Sequence, residues 1–268
     1  MKVKEIIGEY IQSSRYSKLS KHTKHQYWQA IRKIEGEFGN RKIETLRRAD
    51  IVRAHDKMGK TPATANIFAR VSSIIFNYAV DMDYIGANPA SRIKMYKINT
   101  WSRWDLEEVK KVILANHPIV STAVALAFYT GQREADILNM KWGDIRDGKV
   151  FVKQAKTGTE LEIKLAPELV TYLETIPKSG KYIIGGGKKM TGPSFRNMFK
   201  RVTRAMGIER QFHGIRKTVG AILAERGRNT NEIAALLGHK TLAMAAHYTR
   251  QANNKKMIAS AVNDLTFD

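Results

Sequence analysis

The sequence predicts a mostly helical α+β protein carrying one small β-hairpin. Three observations predict it. Apolar residues recur at helical spacing through most of the 268 residues. Two short runs, residues 149–153 (KVFVK) and 161–165 (LEIKL), instead alternate and flank a turn that contains Gly158. The composition is globular, with 43% hydrophobic and 26% charged residues, which argues against intrinsic disorder.

The first part of the chain reads as all helix. Val3, Ile6, Ile7, Tyr10 and Ile11 mark a first helix. Ser20 is a capping residue for a second, in which Tyr27, Ile31, Ile34 and Phe38 form a stripe that Gly39-Asn40 ends. A short third helix covers 49–57. Thr61-Pro62 opens a fourth that runs to about Asp81, because proline at a helix start gives up an N–H that has no partner there anyway. Asn88-Pro89 stops the pattern, and the basic, aperiodic residues 90–103 read as a linker.

The second part is mixed. Asp105 caps a helix carrying Leu106, Val109, Val112 and Ile113. Pro118 to Tyr129 is apolar nearly all round and reads as a buried core helix. The hairpin follows, then helices near 167–175, 193–206, 214–226, 229–237 and 241–249. Met257, Ile258, Ala261, Val262 and Leu265 mark a last amphipathic helix in the tail. No internal repeat or low-complexity segment is present.

Lys and Arg number 46 against 25 Asp and Glu, a net charge of +21. The excess is shared, with 19 basic and 9 acidic residues in 1–99 and 27 and 16 in the remainder. Two basic globular parts suit a polyanionic partner, nucleic acid above all. The absence of cysteine excludes disulfides, thiol catalysis and cysteine-ligated zinc. The N-terminal segment lacks the pattern of a secretory signal, and no apolar run is long enough to span a bilayer. The expectation is therefore a soluble cytoplasmic protein without a membrane partner. Gly185-Gly186-Gly187 lacks the spacing of a phosphate-binding loop, and no His, Asp or Glu set has metal-ligand spacing.

The distinctive residues lie in the second part. Arg133 follows the buried helix in Thr130-Gly131-Gln132-Arg133, Lys156 sits in the hairpin turn, and His213 and Arg216 open a helix as HGIR. His239 ends another helix in Leu237-Gly238-His239, and Tyr248 comes nine residues later. In this order the six residues resemble the signature of the tyrosine recombinases, the phage-integrase type of DNA strand transferase. The resemblance covers roughly residues 100–255, and residues 1–95 resemble the family's helical core-binding domain.

The resemblance implies an organisation. Residues 1–89 would be a helical, SAM-like core-binding domain, 90–103 a linker, and 104–268 a catalytic domain with a C-terminal tail helix. It also implies roles. Arg133 and Arg216 would clamp the scissile phosphate through forked, charge-assisted hydrogen bonds. His213 and His239 would hydrogen-bond it, His213 also assisting deprotonation of the nucleophile. Lys156 would protonate the departing 5′ oxygen; Lys153 and Lys164 lie on the same hairpin, and family position favours Lys156. Tyr248 would attack phosphorus to give a 3′-phosphotyrosine. A phenol ordinarily titrates near pH ~10 and needs a cationic pocket or a base to react at neutral pH. The covalent ester conserves the energy of the broken bond, so no cofactor, metal or ATP is implied. Asp136 matches the family's acidic position and would orient an arginine. Tyr172 and Tyr182 lack the motif context and read as packing residues.

The first part would clamp the other face of double-stranded DNA. Lys21, Lys24, Lys57, Lys60, Thr61, Thr64 and Arg70 stand at or near helix starts suited to phosphates, and Asn66 is the candidate for a base edge. The implied assembly is a homotetramer on two duplexes, with room for an accessory DNA-bending protein, at the nucleoid of a bacterium, phage or other mobile element. The chain starts at what looks like the core-binding domain, so the arm-binding domain of many phage integrases is not expected. A type IB topoisomerase shares the chemistry without synapsis, and a non-catalytic DNA-binding protein on the same fold is the other alternative.

Overall fold

The computed structural model describes residues 1–98, 102–251, 258, 261 and 262. The chain divides into two compact units, Met1–Thr100 and Trp101–Asp268.

The first unit is all helical: α1 (Val3–Gln12), α2 (Ser14–Ser17), α3 (Lys21–Phe38), α4 (Arg48–Lys57) and α5 (Pro62–Asp81). Ser20 caps α3, its hydroxyl accepting from Thr23 N at 3.2 Å. The apolar faces of α1, α3, α4 and α5 close over one core with Phe68 and Phe76 fully buried at its centre. Burying one such ring contributes about 1.5–3 kcal/mol. The one-turn α2 has no sequence signature, because four residues are too few to show a period.

Residues 90–98, expected as the start of a linker, lie along this unit. Ala90 and Ile93 are buried in its core. Asn66 binds Tyr96 twice, its Nδ2 donating to the carbonyl at 2.8 Å and its Oδ1 accepting from the N–H at 2.9 Å. The Tyr96 hydroxyl donates to Asp56 at 2.9 Å and its ring stacks on His55 at 4.5 Å.

The second unit carries α6 (Leu106–Leu114), α7 (Val120–Thr130), α8 (Glu134–Ile137), α9 (Pro167–Glu174), α10 (Gly192–Ala205), α11 (His213–Glu225), α12 (Thr230–Leu237) and α13 (Leu242–Gln251). Every residue from Val120 to Ala127 is buried, as the all-round apolarity of α7 requires. The expected hairpin is present as β2 (Lys149–Lys153) and β3 (Glu160–Lys164), extended by β1 (Ile145–Arg146) into an antiparallel sheet of order β1-β2-β3. Val150 pairs with Ile163 and both face the core, while Lys153 pairs with Glu160 next to the turn. β1 is two residues long and too short to alternate legibly. Of the expected tail helix, Ile258, Ala261 and Val262 are helical and exposed, and Met257 and Leu265 lie outside the described residues. Among the described residues no helix is long and apolar enough to cross a membrane.

Candidate active site

The site is built from chain ends and turns of the second unit. Helix α7 stops at Gly131, whose φ of 67° is the left-handed conformation that glycine adopts without a Cβ penalty. A Cβ there would lie 2.6 Å from Leu237 Cδ2, so this turn also needs the empty space. The next residues deliver Arg133 to the N-cap of α8. Its Nη1 donates to Gln154 Oε1 at 2.7 Å and lies 4.0 Å from Asp136 Oδ2. Asp136 is buried; its Oδ1 accepts from Ala155 N at 2.8 Å, and its Oδ2 has no hydrogen-bond partner. Asp136 thus holds the hairpin backbone with one oxygen and faces Arg133 with the other.

The hairpin turn is closed by Gln154 N to Thr159 O and Gly158 N to Gln154 O, each 2.8 Å, with Gly158 at φ 70°. Lys156 is exposed on this turn. Lys153 is held by Glu160 at 2.7 Å, which distinguishes it from Lys156. Lys164 stands at the far end of β3.

Helix α11 begins against Trp104. The Trp104 N–H donates to Thr218 Oγ1 at 2.7 Å, the indole N–H donates to Gln211 O at 2.9 Å, and Thr218 Oγ1 donates to Trp104 O at 2.9 Å. Gly214 makes room for this seat, since a Cβ there would lie 2.9 Å from Trp104 Cδ1. His213 and Arg216, three residues apart, share one face of the helix. Arg216 is 3% exposed. Its Nη1 donates to Gly131 O at 2.8 Å and its Nη2 to Leu237 O at 2.6 Å, so the ends of α7 and α12 both terminate on it. Burial and then Arg133 push its pKa down to about 10, opposed by Tyr248, which also hydrogen-bonds it, and by Asp136. It remains a cation at neutral pH.

Helix α12 ends at Gly238, again left-handed at φ 62°, and His239 follows. The His239 ring lies parallel to the Tyr248 ring, 5.9 Å between centroids and 7° between planes. Its Nδ1 is buried without a hydrogen-bond partner. Tyr248, on α13, is 9% exposed, and its ring rests on the backbone of α11 at Gly220. Desolvation, then Arg216 and Arg133, lower the His239 pKa to about 4. His213 is exposed as a residue, yet partial desolvation of its ring and then Arg216, Arg133, Lys217 and Lys156 lower its pKa as well. Both imidazoles are neutral at pH 7 in this state.

A pH dependence follows from the sign of that shift. Unfolded His239 takes its proton near pH ~6.5, whereas the folded chain refuses it until about pH 4. The contribution to stability is therefore full above pH ~6.5 and is lost as pH falls toward and through 4. Thermal unfolding followed from pH 7 to pH 4 should show the midpoint dropping less in His239→Gln than in wild type. An equal drop in both would refute it.

The structure brings together Arg133, Asp136, His213, Arg216, His239 and Tyr248, with Lys156 in electrostatic reach of His213. Tyr172 packs on the core and meets Thr122 at 3.3 Å. Tyr182 is engaged by its backbone with Lys141 and Gly186. Gln154 and Gly220 are functional neighbours that motif reasoning missed. A glycine inside a helical pattern is a readable signal for Gly220; a single buried glutamine has none.

In the first unit the expected DNA contacts fare unevenly. Lys21, Lys60 and Arg70 are exposed and Thr64 is half-buried. Lys24 donates to Ser17 O at 2.8 Å, Lys57 pairs with Glu37 at 3.1 Å, and the Thr61 hydroxyl donates to Met58 O at 3.1 Å. Asn66 corrects the expectation of a base contact. It is 6% exposed and both ends of its amide are engaged by Tyr96, so it has no free edge to offer a base.

Residues 106–255 match the model of the phage integrase family. The integrase of Enterobacteria phage 434 is 30% identical over 207 residues, covering 69% of this chain and 58% of that protein. The integrase of Escherichia phage lambda is 29% identical, covering 77% and 63%. This chain thus spans about three fifths of the length of these phage integrases. A tyrosine recombinase of Thermosipho africanus is 28% identical over 282 residues, 96% of this chain and 98% of that one. Among solved structures, a lambda integrase (75–356) dimer bound to a COC′ core site superposes with a TM-score of 0.82 at 24% identity, covering 93% of this chain and 95% of that one. With more than half of its length matched by the family model, and with the six signature residues in order on the matching fold, this chain belongs to the phage integrase family of tyrosine recombinases.

Proposed function

We propose that this chain is a site-specific DNA strand transferase that cuts and rejoins double-stranded DNA through a 3′-phosphotyrosine at Tyr248. The observation that carries the reading is the placement of the Tyr248 hydroxyl on the guanidinium of Arg216, beside Arg133 and His239. A phosphodiester between the two arginines has its two non-bridging oxygens met by forked donors, which stabilises the extra charge of the pentacoordinate transition state. The phosphate also reverses the local field. A negative charge there opposes the lowering of the imidazole pKa values and makes His213 and His239 better hydrogen-bond donors to it.

The step balances within the site. Tyr248 Oη forms a bond to phosphorus, the P–O5′ bond breaks, His213 assists removal of the phenol proton, and Lys156 supplies a proton to the departing 5′ oxygen. Attack by a 5′ hydroxyl on the phosphotyrosine reverses it, on the same duplex or on another. Lys21, Lys60, Thr64 and Arg70 are the first unit's contacts to the phosphate backbone. A lambda integrase tetramer bound to a Holliday junction, at 22% identity and a TM-score of 0.81, supports a tetramer on two duplexes as the working assembly. An accessory DNA-bending protein and residence at the nucleoid belong to the same reading.

The test is covalent capture. The full chain is mixed with a library of duplexes that have randomised flanks and a nick just beyond the central phosphates, so that the released 5′ strand diffuses away. A detergent-stable adduct, recovered from a defined subset of sequences and mapped by mass spectrometry to Tyr248, is the expected result. An adduct through another residue, or specific binding without any adduct, refutes the strand-transfer reading; the latter leaves a DNA-binding protein on this fold.

A further inference from the structure

The most fully committed side chain in the site is Gln154, to which the strand-transfer chemistry assigns nothing. It is 0% exposed. Its Oε1 accepts from Arg133 Nη1 at 2.7 Å and from Thr157 Oγ1 at 2.7 Å. Its Nε2 donates to Gln132 Oε1 at 2.7 Å and to Leu237 O at 2.9 Å. A carboxamide has two acceptor lone pairs and two donor hydrogens, and here all four are used.

The partners are the site's own elements. Leu237 O is the carbonyl that also accepts from Arg216 at 2.6 Å, so one amide and one carbonyl join Arg133 to Arg216. Thr157 is the residue after Lys156, and the backbone of Gln154 closes the same turn. Gln132 extends the frame by donating to Thr130 O at 2.9 Å and Leu236 O at 3.1 Å. The left-handed glycine at 238 admits the amide, since a Cβ there would lie 2.7 Å from Gln154 Cδ.

We infer that Gln154 is a positioning residue that locks the two arginines and the lysine hairpin into one frame before a phosphate arrives. Neither near neighbour in chemistry can replace it. Glutamate would still bind Arg133, but it lacks both donors and would set a carboxylate against Leu237 O and Gln132 Oε1. Methionine fills the volume and forms none of the four bonds. Buried networks of this kind stand or fall as a whole, because each unpaired member is left desolvated.

The inference rests on the strand-transfer reading for its consequence but not for its geometry, and two measurements separate them. The first needs no DNA. Side-chain nitrogen NMR of the labelled full chain, with Arg133→Lys and Arg216→Lys for assignment, should find both guanidinium signals protected from solvent exchange in wild type. In Gln154→Met the Arg133 signal should lose that protection. Unchanged arginine signals in a folded variant overturn the proposal. If thermal unfolding shows that Gln154→Met does not fold, Gln154→Asn, one methylene shorter, takes its place.

The second uses a nicked duplex captured by wild type. Gln154→Met should bind it with wild-type affinity and form adduct about 10- to 100-fold more slowly, the usual scale for a group that orients a reacting one. On the same duplex with a methylphosphonate at the scissile position, which carries one charge fewer and relies less on the arginines, the deficit should shrink. An equal deficit on both substrates, or none on either, overturns the proposal. A wild type that captures no duplex defeats the strand-transfer reading instead, and the NMR result still decides the role of Gln154.

Discussion

Tyr248→Phe is expected to abolish covalent capture while leaving specific DNA binding within about threefold of wild type, since it removes one hydroxyl from a site whose phosphate donors remain. Deleting a covalent nucleophile costs on the order of 10⁴-fold or more in rate, and the neighbouring groups here offer no substitute. His213 and His239 are neutral at pH 7 but would yield an unstable phosphoramidate rather than a detergent-stable tyrosyl ester. The fold should tolerate the change. The phenol packs at 9% exposure, and phenylalanine keeps the ring on Gly220 and parallel to His239. What disappears is the hydrogen bond to Arg216, about 1.5–3 kcal/mol on the scale for bonds to a charged group. Arg216 retains the carbonyls of Gly131 and Leu237. Capture assays read against a binding assay on the same duplex check both halves of this expectation. Persistent adduct in Tyr248→Phe would move the nucleophile elsewhere.

The helices and the hairpin were legible because their signals are local. Periodicity marks α1, α3 and α5 within a few residues, and Ser20 caps α3 as its hydroxyl chemistry requires. Strand β3 lies one residue earlier than the alternation of 161–165 suggests, because Glu160 pairs with Lys153 across the ladder. Residues 90–98 were illegible as structure. They have no period, and their order comes from tertiary partners: Asn66, Asp56 and His55 holding Tyr96. The same fact explains the miss at Asn66. A polar residue near a basic helix start fits a base edge as well as a backbone clamp, and only the fold distinguishes them.

The site divides in the same way. Arg133, Lys156, His213, Arg216, His239 and Tyr248 stand out in the sequence because their types and order resemble the family signature. What holds them was not. Gln154 gathers four partners from three segments spread over more than a hundred residues, and no sequence pattern reports such a convergence. The roles of Gly131 and Gly238 were half visible, since glycine after an apolar run suggests a left-handed helix end, but the reason neither tolerates a Cβ lies in Leu237 and Gln154 across the site.

Gly220→Ala gives the second large effect, and it runs against the usual direction for this substitution. In an exposed helix, glycine to alanine stabilises by about 0.5–1 kcal/mol, because alanine loses less conformational freedom on folding. Gly36 in α3, with nothing within 4 Å of where its Cβ would sit, should behave that way and serves as the control. At Gly220 the new methyl would lie 2.5, 2.6 and 2.8 Å from three carbons of the Tyr248 ring, against an ordinary carbon–carbon separation of about 3.5–4.0 Å. The ring has to move by roughly 1 Å, and a displacement of that size costs on the order of 10²-fold in rate when it shifts a reacting atom. The overlap should also lower stability by about 1–3 kcal/mol, the range for overpacked cores. The three closest approaches of the methyl are all to the Tyr248 ring, so DNA affinity should hold while adduct formation falls. Thermal unfolding and capture rates of Gly36→Ala and Gly220→Ala, measured side by side, decide the matter. If Gly220→Ala is destabilised yet cleaves at the wild-type rate, Tyr248 leaves its seat on α11 before it attacks, and the docked phenol is a resting position. If rate and stability fall together, the nucleophile reacts from where it is found.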